Sequence, residues 1–274
     1  MANKVLLITG ASSGIGKAAA LEMLKKGWTV YGGARRLERL KEMESQGLKA
    51  LPLDVTDEQS RKQAIGTIVE QEGRLDGLVN CAGYGSYGAI EDVPEAEAKR
   101  QFDVNVFGLA SMCREVLPIM RSQGKGRIVN ISSMGGRIYT PMGGWYFASK
   151  HAVEALSDCL RHEVRPLGIQ VSIIQPGMIL SEWSGISLEQ LEKTSRNGPY
   201  AGLAKKMAKI LKFGYRKHIA GKPEVIGRLV RKALTANNPK IRYSAPWDAK
   251  LLLFLRKYAP ESLFDAICYA ITKA

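Results

Sequence analysis

The sequence of 274 residues predicts a single-domain α/β fold, with a doubly wound, parallel, seven-stranded sheet and helices on both faces. Two observations carry this prediction. Short apolar runs alternate with amphipathic stretches along the first two-thirds of the chain. The runs are apolar almost throughout, which is typical of strands covered on both faces of a parallel sheet. Right-handed crossovers between such strands produce a doubly wound sheet.

The strands and helices follow from these runs in chain order. Runs rich in leucine or β-branched residues predict strands over 4–9, 28–32, 48–53, 76–80, 126–132, 169–175 and 241–243. Amphipathic spacing predicts helices over 14–26, 36–46, 57–72, 95–121 and 145–167, and a further helix from Pro223 to about Leu234. Two more amphipathic segments, 247–257 and 260–271, follow the last strand.

One domain, residues 1–274, accounts for the whole chain. Residues 1–181 form its core. Residues 182–222 lack the strand–helix alternation and read as helices joined by loops, which predicts a helical lid over a substrate. Residues 223–274 supply the closing helix, strand and C-terminal segment.

Composition excludes several classes of protein. With 45% apolar and 24% charged residues, the chain is neither disordered nor collagen-like. Its cysteines at 81, 113, 159 and 268 lie far apart without metal-ligand spacing, which predicts no metal site, no disulfide framework and a reducing compartment. We see no signal peptide, and the run Leu251–Leu255 is too short to span a bilayer. A cytoplasmic protein is expected.

Positive charge is concentrated in one stretch. The chain has 40 Lys and Arg against 26 Asp and Glu, a net charge of +14. Residues 193–257 contain 17 of these bases and only two acids, so the remainder of the chain is almost neutral. An anionic partner is therefore expected at this stretch and not over the whole surface.

A glycine-rich turn, TGASSGIG from Thr9 to Gly16, directly follows the first predicted strand and opens a helix. Gly10 permits the tight turn, Gly14 allows a pyrophosphate to approach the backbone, and Gly16 allows close helix–strand packing. The helix N-terminus offers unpaired N–H groups to phosphate. The turn predicts a dinucleotide site, with contacts from Gly10, Ser12, Ser13, Gly14, Ile15 and Gly16.

Further motifs follow at characteristic intervals: Leu53-Asp54-Val55, Asn80-Cys81-Ala82-Gly83, Asn105, Ile131-Ser132-Ser133, Tyr146-x-x-x-Lys150 and Pro176-Gly177. Over residues 5–181 the sequence resembles the classical short-chain dehydrogenase/reductase (SDR) family. Its C-terminal segment resembles the branch of 17β-hydroxysteroid dehydrogenase-like enzymes and acyl-dihydroxyacetone-phosphate reductases. The resemblance implies a Rossmann fold and an oxidoreductase of carbonyl or alcohol groups.

The candidate catalytic residues are Asn105, Ser133, Tyr146 and Lys150. Tyr146 and Lys150 are four residues apart and share a helix face, where an ammonium would lower the pKa of the phenol. The resemblance implies that Tyr146 is the general acid, that Lys150 tunes it and holds the nicotinamide ribose, and that Ser133 binds the carbonyl oxygen. Asn105 is similar to the family asparagine that kinks its helix and holds a water; alternatively it is a polar residue of the helix interior.

The second predicted strand ends without the acid that NAD-specific sites use. Ala34 occupies that place and Arg35 and Arg36 follow, which favours NADPH over NAD, with Arg35 the stronger candidate for its 2′-phosphate. Alternatively, both arginines only begin a solvated helix. The resemblance implies further cofactor contacts from Asp54, Val55, Asn80, Ala82, Gly83, Tyr146, Lys150, Pro176, Gly177, Ile179 and Ser181.

Loops 83–90, 134–145 and 178–220 should border the substrate. Their aromatic and apolar residues predict an elongated apolar substrate such as a steroid, retinoid or acyl chain, or they simply pack the lid. Candidate substrate residues are Ser133, Tyr139, Trp145, Tyr146, Met178 and Trp183. His151, His162 and His218 have no partner at catalytic spacing and are taken as structural or solvated.

The basic stretch contains an amphipathic segment, GLAKKMAKILKFGYRKH, from Gly202 to His218. It could lie on an anionic membrane, attract an anionic substrate, dock an acidic carrier protein or form a solvated lid helix. Nucleic acid is not expected, because no recognised binding motif accompanies the charge.

The sequence as a whole predicts an NADPH-dependent carbonyl reductase, or reversible alcohol dehydrogenase, that acts on a small-molecule substrate. A non-catalytic NADPH-binding sensor or scaffold, and a membrane-surface lipid reductase acting on an anionic substrate, are the alternatives. The resemblance implies a homodimer or homotetramer that pairs through the helices at 95–121 and 145–167.

Overall fold

Seven parallel strands form one sheet in the order β3-β2-β1-β4-β5-β6-β7, in a computed structural model that describes residues 3–273. The strands are β1 (Val5–Thr9), β2 (Thr29–Ala34), β3 (Leu48–Pro52), β4 (Gly77–Asn80), β5 (Gly126–Ile131), β6 (Ile169–Pro176) and β7 (Arg242–Ala245). The order reverses between β1 and β4, which confirms the doubly wound Rossmann fold. Ligands of such sheets bind at the carboxyl ends of the strands, near this reversal.

Helices cover both faces of the sheet. They are α1 (Gly14–Leu24), α2 (Leu37–Lys41), α3 (Glu58–Glu72), α4 (Glu95–Phe102), α5 (Leu109–Ser122), α6 (Gly144–Val164), α7 (Glu182–Ser195), α8 (Ala201–Gly214), α9 (Pro223–Thr235), α10 (Trp247–Tyr258) and α11 (Glu261–Lys273). Two predicted helices differ from the structure. The one at 36–46 is α2 followed by a 3-10 turn, and the one at 95–121 is interrupted by a π-helical segment, Asp103–Gly108. Over residues 3–273, no helix combines the length and apolarity that crossing a bilayer requires.

Two apolar clusters, one on each face, explain the continuous apolar strands. Leu6 and Ile8 of β1 belong to the cluster that contains residues of α1 and α9, whereas Leu7 belongs to the cluster that contains residues of α3, α5 and α6. All three side chains are fully buried. Their burial on both sides stabilises the sheet and fixes the strand ends that carry the site.

A third apolar cluster lies between the lid helices and the loops at the carboxyl ends of the strands. In α8, Met207 and Leu211 are buried in this cluster and Leu203 packs against it, whereas Lys205 and Lys209 are exposed. The apolar stripe of α8 therefore faces the lid interior. Of the alternatives for this basic segment, the stripe fits the lid helix and is not free to enter a membrane.

Candidate active site

The glycine-rich turn has the backbone that its sequence requires. Gly10 and Gly14 adopt φ of 67° and 52°, in the left-handed region that favours glycine. A Cβ on Gly16 would lie 2.3 Å from the carbonyl oxygen of Gly10, so only glycine lets α1 start this close to β1. Ser13 is the N-cap residue of α1, and its side chain makes no capping hydrogen bond. The first N–H groups of α1 are thus available to an anion.

The end of β1 is tied to the chain after β4. The Thr9 hydroxyl accepts hydrogen bonds from the N–H groups of Cys81 and Ala82, each at 3.0 Å. A Cβ on Gly10 would lie 2.8 Å from the Ala82 nitrogen. Ala82 therefore lies beside the glycine turn. Thr9 was not among the predicted site residues, although it begins the motif.

Two further predicted cofactor contacts have polar side chains. Asn80 is buried and donates to Asn130 Oδ1 at 2.9 Å, while its own Oδ1 has no partner among the described residues. Burial raises the pKa of Asp54, but hydrogen bonds from Thr56 and the charge of Arg35 outweigh it, so that the pKa is lowered. An unpaired buried acceptor and free helix N–H groups suit the polar groups of a dinucleotide, and the residues present fit that group.

The two arginines after β2 have different surroundings. Arg36 donates to Ser13 Oγ at 3.1 Å and pairs with Glu182 of α7 at 2.8 Å; Arg39 also pairs with Glu182. Arg35 is exposed, and its positive charge helps to lower the pKa of Asp54. The sequence favoured Arg35 as the residue for the 2′-phosphate. In the structure it is Arg36, the N-cap residue of α2, whose side chain contacts the glycine turn.

The lid begins against the same turn. Ser181 is the N-cap residue of α7, and a Cβ on Gly14 would lie 3.2 Å from its Cβ. The predicted contacts Pro176 and Ile179 are buried, and Met178 N donates to Asp248 Oδ2 at 2.8 Å. A Cβ on Gly177 would lie 2.5 Å from both oxygens of Asp248. Asp248, a residue of α10, thus holds the loop that follows β6.

The candidate catalytic side chains meet where β5 ends and α6 begins. Tyr146, the third residue of α6, is buried. Burial raises the pKa of Tyr146 to about 12, and the Ser133 side chain acts to lower it. One turn further, Lys150 is buried and donates to the Ile131 carbonyl at 3.0 Å.

The electrostatics of this group differ from the expectation. Burial lowers the pKa of Lys150 to about 8, while Cys81 and Glu154 act to raise it. The expected lowering of the Tyr146 pKa by Lys150 is not found, because burial dominates at both residues. Tyr146 is consequently a neutral phenol at neutral pH, which is the protonation state of an acid that donates to an alkoxide.

Asn105 lies in the π-helical segment. Its Nδ2 donates to the Tyr84 carbonyl at 2.9 Å and to Ser149 Oγ at 3.1 Å, and its Oδ1 accepts from Tyr84 N at 3.0 Å. π-helical segments often mark functional sites. The side chain joins the helix, the loop after β4 and α6, which is more than a polar residue of a regular helix interior would do.

Aromatic rings surround Tyr146. The rings of Tyr87 and Phe147 lie 5.7 Å from it and that of Trp183 5.1 Å, and Tyr215 packs 6.1 Å from Trp183. We call these five residues the ring cluster. Trp183, a predicted substrate residue, belongs to this cluster. Met178 faces α8, with its sulfur 2.2 Å from where a Cβ on Gly214 would lie.

Two predicted substrate residues make their contacts elsewhere. Tyr139 packs on Phe264 of α11 at 5.3 Å, and Trp145 packs on Phe102 of α4 at 6.3 Å. Trp145 precedes Tyr146 by one residue, so the helix turns it about 100° away. Tyr139 also lines a cleft of about 540 Å³ between α11 and the start of α6, which does not include Ser133, Tyr146 or Lys150. These contacts do not support the substrate role predicted for the two residues.

Comparisons with known proteins agree with this geometry. The family model for short chain dehydrogenases matches residues 4–191. The chain is 38% identical to 3-ketodihydrosphingosine reductase of Bacteroides thetaiotaomicron, over 99% of this chain and 100% of that protein. It is 36% identical to retinol dehydrogenase 5 of Homo sapiens, over 97% and 87%. The crystal structure of a short-chain dehydrogenase from Streptomyces avermitilis superposes with a TM-score of 0.81 at 32% identity, covering 100% of this chain and 96% of that one.

Proposed function

The chain belongs to the short-chain dehydrogenase/reductase family, and we propose that it is an NADPH-dependent reductase of a carbonyl group in an apolar, lipid-like molecule. As a member of this family it is an oxidoreductase of carbonyl and alcohol groups that uses a nicotinamide cofactor. The observation that carries the proposal is that Tyr146 and Lys150 are both buried one helical turn apart, with Lys150 bonded to the carbonyl of Ile131, two residues before Ser133.

The residues of the proposed site divide the work. When bound, the cofactor supplies the hydride for the carbonyl carbon. Tyr146 is protonated at neutral pH and donates its hydroxyl proton to the carbonyl oxygen. Ser133 donates a hydrogen bond to the same oxygen as negative charge develops on it. Lys150 carries a positive charge below its pKa of about 8, close to the proton that Tyr146 gives up.

Cofactor binding is assigned to the glycine turn and its surroundings. The free N–H groups at the start of α1 would hold the pyrophosphate, Asp54 and Val55 the adenine side, and Lys150 with Pro176 and Gly177 the nicotinamide side. Arg36 supports NADPH, because its guanidinium already lies on Ser13 and a phosphate takes charge-assisted bonds from such a group. Position 34 is alanine, so there is no acidic side chain there to repel the phosphate.

The ring cluster supports an apolar substrate. The rings of Phe147 and Trp183 lie within 5.7 Å of the Tyr146 ring, and apolar neighbours of this kind favour an aliphatic or isoprenoid chain over a sugar or an amino acid. Two relatives are named for a sphingoid ketone and for retinol. We therefore place long-chain ketones and retinoids ahead of other substrates, with Trp183 and Met178 as lid contacts.

Homo-oligomer formation is the remaining part of the proposal. Pairing through the helices at 95–121 and 145–167 is supported by Phe107 and Leu156, which are large apolar residues exposed on these helices. Size-exclusion chromatography with light scattering would test it. A monomer at all concentrations would contradict it.

The test of the reaction is NADPH oxidation with a panel of sphingoid ketones, retinaldehydes and ketosteroids, repeated with NADH. We expect turnover with at least one long-chain substrate and a preference for NADPH. Tyr146→Phe should lower turnover about 10³-fold, which is within the range for loss of a general acid. Tyr200→Phe is the matched control, because the Tyr200 hydroxyl bonds to Glu91 on the surface. NADPH binding without turnover on any substrate would instead support the sensor or scaffold.

A further inference from the structure

The C-terminal helix α10 exposes a row of large apolar side chains. Trp247, Leu251, Phe254 and Tyr258 are 63%, 47%, 60% and 64% exposed. Their spacing of four, seven and eleven residues from Trp247 places them on one face of the helix. Single exposed apolar residues are ordinary, but a contiguous apolar face on a folded protein marks a surface that binds something. We call these four residues the α10 row.

The opposite face of α10 is packed, so the outward direction of the row is fixed. Ala249 is fully buried. Leu252 packs on a small cluster formed by Ile138, Phe264 and Cys268, which joins α11 to the loop after β5. The bond between Asp248 and Met178 N anchors the start of the helix. The α10 row is therefore presented by a docked helix and does not result from an unpacked chain end.

Positive charge accompanies the row. Lys250 and Lys257 are exposed and stand at helical spacing along one edge of it. Lys206 of α8 donates to the Lys273 carbonyl at 3.1 Å, which joins α8 to the end of α11. Lys205 and Lys209 of α8 are exposed, as is Arg216 two residues after its end, so the lid helix that contacts α11 has a basic surface.

This combination selects the occupant. A second copy packed on the α10 row about a two-fold axis would bring Lys250 and Lys257 of both copies into one interface, where like charges repel. An anionic lipid surface attracts the same lysines and accepts Trp and Tyr rings at its headgroup level. With 12 residues, α10 is about 18 Å long and fits in the plane of such a surface, not across it.

We propose that the α10 row, together with the basic surface of α8 next to α11, docks the protein on anionic phospholipid membranes. The cluster under α10 and α11 includes Met134, the residue after Ser133. Docking would thus bring the loop that leaves the catalytic serine close to the membrane. The proposal rests on surface chemistry alone and does not need the substrate suggested above to be correct.

The test is flotation of the full-length protein with vesicles of phosphatidylcholine, with and without phosphatidylserine, at low and high salt. We expect binding to the anionic vesicles at low salt, weakened by salt, and a blue shift of the Trp247 fluorescence that Trp247→Phe removes. Leu251→Ser should weaken binding about tenfold, the scale of burying one such side chain. Leu167→Ser is the matched control, since Leu167 is an exposed leucine just before β6, at the amino end of the strands, whereas α10 follows the carboxyl end of β7.

Charge and activity separate the remaining outcomes. Lys250→Glu with Lys257→Glu should abolish binding to anionic vesicles, and turnover of a water-soluble ketone should stay unchanged in every variant. No binding at low salt would overturn the proposal, as would equal binding to neutral vesicles. Self-association that Leu251→Ser abolishes, without vesicle binding, would assign the row to a second copy and also overturn it. If the wild-type protein turned over no soluble ketone at all, this result would contradict the proposed function and would not affect the docking proposal.

Discussion

Aromatic side chains form two groups in this protein, the ring cluster around Tyr146 and the α10 row. The ring cluster is enclosed by the lid, and burial raises the pKa values of Tyr87, Tyr146 and Tyr215. In the α10 row, Trp247, Phe254 and Tyr258 are mostly exposed. Residues of the same types therefore differ in exposure. In the proposed function the enclosed rings would exclude water from the proton donor Tyr146, whereas in the proposed docking the open rings would contact the membrane.

The difference lies in what the polar atoms do. Within the ring cluster, Tyr146 is buried and its protonation state depends on that burial. On α10, the polar atoms that matter are the ammonium groups of Lys250 and Lys257, which remain in solvent. Changes in the buried group should therefore alter chemistry or stability, and changes in the open group should alter association only.

After Tyr146→Phe, the largest effect on turnover is expected at Lys150. Lys150→Met keeps the length of the side chain and removes its charge, so turnover should fall about 10²-fold or more, while vesicle binding stays unchanged. In the wild-type enzyme, carbonyl reduction should decline as the pH rises through about 8, where Lys150 loses its proton. A pH–rate profile measures this. Turnover that remains constant from pH 7 to about pH 9 would contradict the assigned role of the ammonium.

The free energy of unfolding should depend on Lys150 in the opposite direction: it should rise with pH where the reaction rate falls. The pKa of Lys150 is lowered in the folded protein from 10.5 to about 8. Between these values the unfolded chain binds more protons, so the contribution of Lys150 to the free energy of unfolding increases with pH. Lys150→Met should consequently be more stable than wild type near neutral pH, and this advantage should shrink towards alkaline pH. Chemical denaturation at several pH values is the measurement.

Two leucines compare burial directly. Leu78 of β4 is fully buried and Leu251 of α10 is 47% exposed. Leu78→Ala should lower the free energy of unfolding by about 2–5 kcal/mol because it removes core contacts and leaves a cavity. Leu251→Ala should change it by less than about 0.5 kcal/mol, as for other surface substitutions. Similar losses at the two positions would show that the α10 row is covered in the isolated protein.

The smallest effect concerns the two kinds of positive charge. Arg36 has fixed partners at the glycine turn, so Arg36→Ala should weaken NADPH binding about tenfold and leave NADH binding unchanged. Lys41→Ala is the control on the same helix, since Lys41 pairs with Glu38. Titration of cofactor fluorescence measures both, and Lys250→Glu should have no effect. Equal weakening of NADPH and NADH would remove Arg36 from the 2′-phosphate site.

Local spacing was sufficient for most of the fold. The bounds of every predicted strand agree with those of the structure to within a few residues. This is because an apolar run flanked by turns indicates a strand that is buried on both faces of a sheet. The glycine turn could also be predicted, because steric limits within a short stretch of chain require glycine at positions 10, 14 and 16. Tyr146 and Lys150 share a face because the helix repeat alone decides that.

The residues that spacing could not supply come from distant segments. Glu182 meets Arg36 across 146 positions and Asp248 meets Met178 across 70. Tyr215 reaches the ring cluster only because the lid folds back over the strand ends. The same dependence on packing turned Tyr139 towards α11 and Trp145 towards α4, and it buried the apolar stripe of α8.

The sequence by itself determined the parallel sheet, the glycine turn and the position of Tyr146 and Lys150 on one helix face, because each follows from steric limits or periodicity within a short segment. Only the tertiary structure decided which arginine touches the turn, how burial sets the protonation of Tyr146 and Lys150, and which basic helix keeps its apolar face in solvent. Those properties depend on how completely one element is covered by others far away in the chain. The spacing of residues within a short segment does not predict that coverage.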